Sequence, residues 1–153
     1  MRAYYLPMTA GGVLAVSSFL PWLHMGNQAI GGVPDVAGLW VLGLGLLAIT
    51  LAGLSVITRK NSRHPLLLVG LAAFAVLMLA EQLMERAVVQ QAWARSQARA
   101  IVEGGTAAVV PEPTMAIGIY IGLAAASVIT LFGLTIVVRR VPTAYAEPED
   151  DDA

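Results

Sequence analysis

The fold the sequence predicts is an all-α membrane protein, a bundle of four transmembrane helices whose third helix is extended outside the membrane. Three observations predict it. Of the 153 residues 58% are hydrophobic and only 12% charged, with a mean hydropathy of +0.74, far from the composition of soluble domains. Four stretches, residues 3–23, 36–58, 65–80 and 114–138, contain no Asp, Glu, Lys, Arg or His, and a helical span needs roughly 17–25 apolar residues. The charges fall in the connections between these stretches, as they must where the bilayer offers a charge no water.

The first helix is expected over residues 3–23. Pro21 ends it, and Trp22 stands where an amphipathic ring anchors at the membrane interface. Arg2 and the apolar run also satisfy the first two parts of a secretory signal. No small-residue cleavage site follows Leu20, where Pro21, Trp22 and His24 stand instead, so a retained span is the expectation. The second helix is expected over 36–58, with Trp40 as a second interfacial anchor and Gly38, Gly43, Gly45 and Gly53 thinning it into a central helix of the bundle.

The third helix is expected over 65–103. Its apolar part ends at Ala80, yet residues 81–103 keep strong helix formers with no Pro or Gly before Gly104-Gly105. Met84, Ala87, Ala94, Ala98 and Ile101 share one face at the helical period, which makes the extension weakly amphipathic. From Met84 to Glu103 a helix rises ~30 Å, and the roughly ten residues back to Pro113 reach at most ~35 Å. Either residues 106–112 are stretched, as Ala107, Ala108, Val109 and Val110 allow in a strand, or the helix bends onto the membrane at Trp93, a third anchor. A stretched return could pair with residues 29–33 as a small sheet.

The fourth helix is expected over 114–138. Gly118, Gly122, Ala126 and Thr130 recur every four residues, a row of small side chains that lets a neighbouring backbone approach, which is how helices associate in lipid. Gly11 with Ala15, and Ala48 with Ala52, form shorter rows. Residues 1–140 thus make the transmembrane domain, and 141–153, with Glu147, Glu149, Asp150, Asp151 and Asp152 beside Pro142 and Pro148, a disordered acidic tail.

Orientation follows from the basic residues. Arg2, Arg59, Lys60, Arg63, Arg139 and Arg140, six of the nine, fall on one side, which the positive-inside rule makes cytoplasmic together with both termini. The connections around 24–35 and 84–113 are then outside, and His24 and His64 lie on opposite sides of the membrane, unable to share a haem or metal.

The string Phe19-Leu20-Pro21-Trp22-Leu23, followed by Gly26, Gly31, Gly32, Gly38 and Leu39-Trp40, resembles a broad group of uncharacterised bacterial four-span membrane proteins. The resemblance covers mainly residues 11–45. It implies a protein of the bacterial inner membrane and brings no agreed activity and no catalytic residues. Trp22 and Gly38-Leu39-Trp40 also resemble the W…GLW signature of claudin-type tetraspan proteins, although the loop cysteine pair of that family is absent.

Function classes narrow by exclusion. The chain lacks cysteine and its formal charge is −1, which rules out thiolate chemistry and any global attraction to nucleic acid. No nucleotide-binding, hydrolase or metalloprotease motif occurs, so no cofactor and no catalytic residue are expected. Glu81, Glu85 and Arg86 are the only acid–base cluster near a span and are candidate functional charges, though at the interface water can solvate them. The leading expectation is a non-catalytic accessory or scaffolding subunit whose partners are the lipid bilayer and other membrane subunits or itself. The alternative is a small oligomeric channel or transporter with its pore between protomers, assembled on the Gly118 row and ringed by Glu81 and Glu85. A lipid enzyme would have only Glu85 and His24 as acid and base.

Overall fold

The computed structural model describes residues 2–59 and 62–138. The expected acidic tail, Lys60, Arg139 and Arg140 lie outside them. After a short 3-10 turn, Arg2–Tyr4, come α1 (Tyr5–Ser17), the strands β1 (Pro21–Met25) and β2 (Gln28–Gly31), α2 (Val36–Thr58), α3 (Arg63–Glu103), β3 (Pro113–Met115) and α4 (Ile117–Val138). The helices form a ring in which α1 packs on α2, α2 on α3, α3 on α4 and α4 on α1. The expected central position of α2 is therefore not what the glycines make. Gly45 serves the seam with α1, while nothing lies within 4 Å of where a side chain at Gly43 or Gly53 would start.

Helices α2, α3 and α4 are long and apolar enough to cross a membrane. Their outward residues are apolar too, with Leu46, Leu54, Ile57, Leu68, Leu71, Leu79 and Leu131 all exposed, the reverse of a soluble surface. The first helix departs from expectation. It has 13 residues, about 20 Å at 1.5 Å per residue, against a hydrocarbon core of about 30 Å. Residues 21–23, expected at its end, are strand, because Pro21 has no N–H to continue the helix and Trp22 is drawn into the sheet. Likewise α4 begins at Ile117, since residues 113–115 pair with β1.

The seams are backbone to backbone. A Cβ on Gly45 would stand 2.7 Å from the Ala15 nitrogen and 2.9 Å from the Gly11 carbonyl oxygen, so α1 and α2 touch without side chains between them. Gly70 meets the backbone of Thr130, and Gly133 that of Leu67, which closes α3 on α4. Buried Leu14, Val41, Leu66, Leu77, Ile119 and Ile129 fill the remaining core. At the end away from the sheet, Tyr4 meets Phe132 edge-on at 5.2 Å between centroids, and the Arg63 guanidinium lies 5.6 Å over the same ring, a cation–π contact.

The sheet has the order β2-β1-β3 and is antiparallel throughout. A two-residue turn, Gly26-Asn27, joins β1 to β2, with Gly26 at φ 57°, the left-handed conformation such turns demand and glycine accepts without strain. The return strand pairs with β1 through residues 113–115. The expected partners were different ones, residues 106–112 against 29–33. Those return residues form neither helix nor strand. Asp35 caps α2, its Oδ1 accepting the Ala37 N–H at 2.9 Å. Asp35→Ala is expected to lower thermal stability in mild detergent by about 1 kcal/mol, and Asp35→Asn to restore most of it.

Third in the ring, α3 runs 41 residues without interruption, about 60 Å. Met84 is the last buried residue along it. Beyond Met84 the row that turns toward the protein is Val88, Ala92, Ser96 and Ala100, all half-buried. The face expected from the sequence is not the inner one: Ala94, Ala98 and Ile101 are exposed. The cause is local composition, because alanine is common on every side of this segment and its pattern does not discriminate faces.

Candidate functional site

The sheet end of the bundle is where the chain gives up regular helix, and several of the freed backbone groups there find a partner by a specific device. The Ser17 carbonyl accepts the Leu20 N–H at 3.2 Å and the Trp22 Nε1–H at 2.8 Å. The Val33 N–H donates to the Ser18 carbonyl at 2.9 Å. The Ser17 and Ser18 hydroxyls donate back to Leu14 and Ala15, both at 2.7 Å. The Ala116 N–H donates to the Trp22 carbonyl at 2.8 Å, tying the entry of α4 to β1. Such satisfaction is what permits non-helical backbone in an apolar setting.

Trp22 is the centre of this arrangement. A β-bulge between Pro21 and Leu23 re-aims the backbone at Trp22, and the ring is fully buried. It lies between two glycines: a Cβ on Gly32 would come within 2.8 Å of the Ser18 carbonyl and still closer to the indole, and one on Gly118 would stand 2.8 Å from Trp22 Cδ1 and 2.6 Å from the Pro21 carbonyl. Gly38 in turn lies directly against the Gly32 backbone. Gly32 and Gly118 are thus the room the indole needs. Trp22 is not an interfacial anchor, because its N–H is satisfied inside the protein and no part of it reaches a surface. Trp40 and Trp93 are both exposed, as an anchor requires.

Of the α4 row, Gly118 is covered by Pro21 and Trp22, Gly122 by Ser17 and Leu77, and Thr130 faces Gly70, while Ala126 is fully buried. These positions are occupied within one chain, which leaves a second copy no access to them. Glu81 is half-buried, and Glu85 and Arg86 are exposed. Glu85 and Arg86 share a shallow depression on α3 with Gln82, Val89 and Gln90, and Glu81 is not part of it. His24, on β1, lines neither this depression nor the larger cleft. His64 opens α3 near Leu67, which packs on Gly133, whereas His24 is on the strand beside Gly118; the two histidines are at opposite ends of the bundle. Among the described residues no group of three or more His, Asp or Glu side chains could hold a metal ion.

A cleft of about 970 Å³ lies between one face of the β1–β2 hairpin, the free half of α3 and the return segment after Gly105. Ile30, which packs against the core, Met84 and Val88 line its end nearest the bundle, and Gln91, Arg95, Ser96 and Arg99 its α3 wall farther out. No protein-family model, no curated protein and no solved structure matches the chain. The site must therefore be interpreted from its own chemistry. Arg95 and Arg99 are two of the three basic residues outside the six assigned to the cytoplasmic side, and orientation gives them no role. Their signal was the spacing of four shared by Gln91, Arg95, Arg99 and Glu103, which places all four on one helix face. What could not be foreseen is that the hairpin and the return segment would line a cleft with that face, whose four side chains stay exposed.

Proposed function

We propose that the chain is a multi-pass protein of the bacterial cytoplasmic membrane, both termini inside, that works by contact as a non-catalytic accessory or scaffolding subunit of a larger membrane assembly. The observation that carries this reading is the free half of α3. It continues as unbroken helix past the last buried residue, Met84, and displays Trp93 at 60% exposure, Ile101 at 81% and Val102 at 85%. A helix about 60 Å long in a hydrocarbon layer of about 30 Å must project from it. Large apolar side chains on a projecting helix are a surface for another protein. Arg59 and Arg63 at the opposite end support the orientation, and the resemblance of the FLPW region supports the bacterial inner membrane.

A photo-crosslinking residue at Val102, compared with one at Leu68, which is 68% exposed among the apolar residues of the membrane part, tests the proposal in the protein's own membranes. A discrete protein adduct is expected from position 102 and none from position 68. A chain that yields no protein adduct at 102 and elutes in mild detergent as a lone monomer contradicts the proposal.

A further inference from the structure

Beyond its contact role, and independently of it, we infer that the cleft over the sheet end binds an anionic amphiphile, a molecule with one phosphate or carboxylate group on an apolar chain. The cleft, about 970 Å³, is at the upper end of the range of small-molecule sites. Along α3 its lining is graded. Near the bundle stand Ile30, which packs against the core, Met84 and Val88, with Met84 buried and Ile30 and Val88 half-buried, a floor that favours hydrocarbon over water. Arg95 and Arg99 line the α3 wall, about 10 and 17 Å farther along the helix than Val88 at 1.5 Å per residue.

The two arginines are four residues apart and therefore adjacent on the helix surface. Paired guanidiniums bind a tetrahedral or planar oxyanion through several charge-assisted hydrogen bonds at once. Two carboxylates also border the cleft, Asp35 and Glu103. Asp35 is committed to the α2 cap, where it accepts the Ala37 N–H, and Glu103 is in the last turn of α3, beyond Arg99. Between the apolar floor and Glu103, the charged side chains on the helix wall are both cationic. That gradient orients the occupant, chain toward the bundle and head toward Arg95 and Arg99. A membrane lipid held this way is lifted head-first out of its leaflet, and a free amphiphile enters from water; the chemistry of recognition is the same.

Purified full-length protein distinguishes the two sources. Retention of phosphatidylglycerol from phosphatidylglycerol vesicles, with phosphatidylcholine vesicles as reference, is measured by native mass spectrometry. Binding of dodecyl phosphate below its micellar concentration is measured by calorimetry. One anionic amphiphile per chain is expected in at least one arm, in preference to phosphatidylcholine. Two independent cleft variants follow: the double substitution Arg95→Gln with Arg99→Gln, which removes the head site from an exposed helix face, and Ala92→Trp, which fills the wall. Each is expected to weaken binding by about tenfold or more, whereas Arg59→Gln, at the opposite end of the bundle, leaves it unchanged. A variant that does not elute as a single helical species is set aside, and the other decides. Absence of binding in both arms, unchanged binding in a folded cleft variant, or an equal loss with Arg59→Gln overturns the inference.

Discussion

Trp22→Ala is expected to lower the unfolding free energy by about 3–5 kcal/mol, measured as denaturant or thermal unfolding of the purified protein in mild detergent. The magnitude follows from where the indole sits. It is fully buried, and it fills the space between Gly32 and Gly118, whose missing side chains exist only to admit it. The surrounding backbone is bonded on three sides, through the Ser17 and Ser18 carbonyls and the Ala116 N–H, and so cannot collapse into the vacated volume. Trp22→Phe is the milder change: an aromatic ring remains, while the bond to the Ser17 carbonyl and part of the indole volume are lost, at about 1–3 kcal/mol. That carbonyl keeps the Leu20 N–H. A Trp22→Ala protein within 1 kcal/mol of the parent would mean that the sheet end is held by something other than this ring.

The second large effect contrasts two glycines on one helix. Gly45→Ala places a methyl group 2.7 Å from the Ala15 nitrogen and 3.0 Å from its Cα, against backbone that cannot rotate away, so α1 and α2 must separate along their length. The expected cost is about 1–3 kcal/mol or more. Gly43→Ala, two residues earlier and with nothing within 4 Å, is expected to be neutral or to stabilise α2 by about 0.5–1 kcal/mol, because alanine loses less freedom in a helix. Unfolding midpoints of the pair, measured side by side, should diverge in sign. If both variants behave alike, the α1–α2 contact is not the close seam described here.

Much of this architecture was legible in the residues. The second helix begins and ends where the uncharged stretch does, at Val36 and Thr58, because Asp35 caps one end and basic residues follow the other. The long third helix follows from the lack of Pro and Gly between Glu81 and Gly104. The first helix was overextended because Phe19-Leu20-Pro21-Trp22-Leu23 is as apolar as a span, and hydropathy cannot tell a helix end from a strand buried against one. Its strand character depends on β3, a three-residue partner almost ninety positions away with no local pattern of its own. Val109 and Val110 have the stronger strand propensity, yet Val109 is 94% exposed, since the hairpin had already paired elsewhere. The cleft was illegible for the same reason: helix periodicity groups Arg95 with Arg99, but only the tertiary path of the return segment gives that face an opposite wall.

The pairing of β1 with β3 has a consequence for how the protein is made. About 90 residues separate the two strands, and at a synthesis rate of 5–20 residues per second the ribosome needs roughly 4–18 s to supply the second after the first. Throughout that interval β1 has one unpaired edge, and the Trp22 carbonyl awaits the amide that Ala116 will bring. A nascent chain with three helices already made is therefore an unfinished object, and the last helix to arrive is the one that locks the sheet end of the first into place.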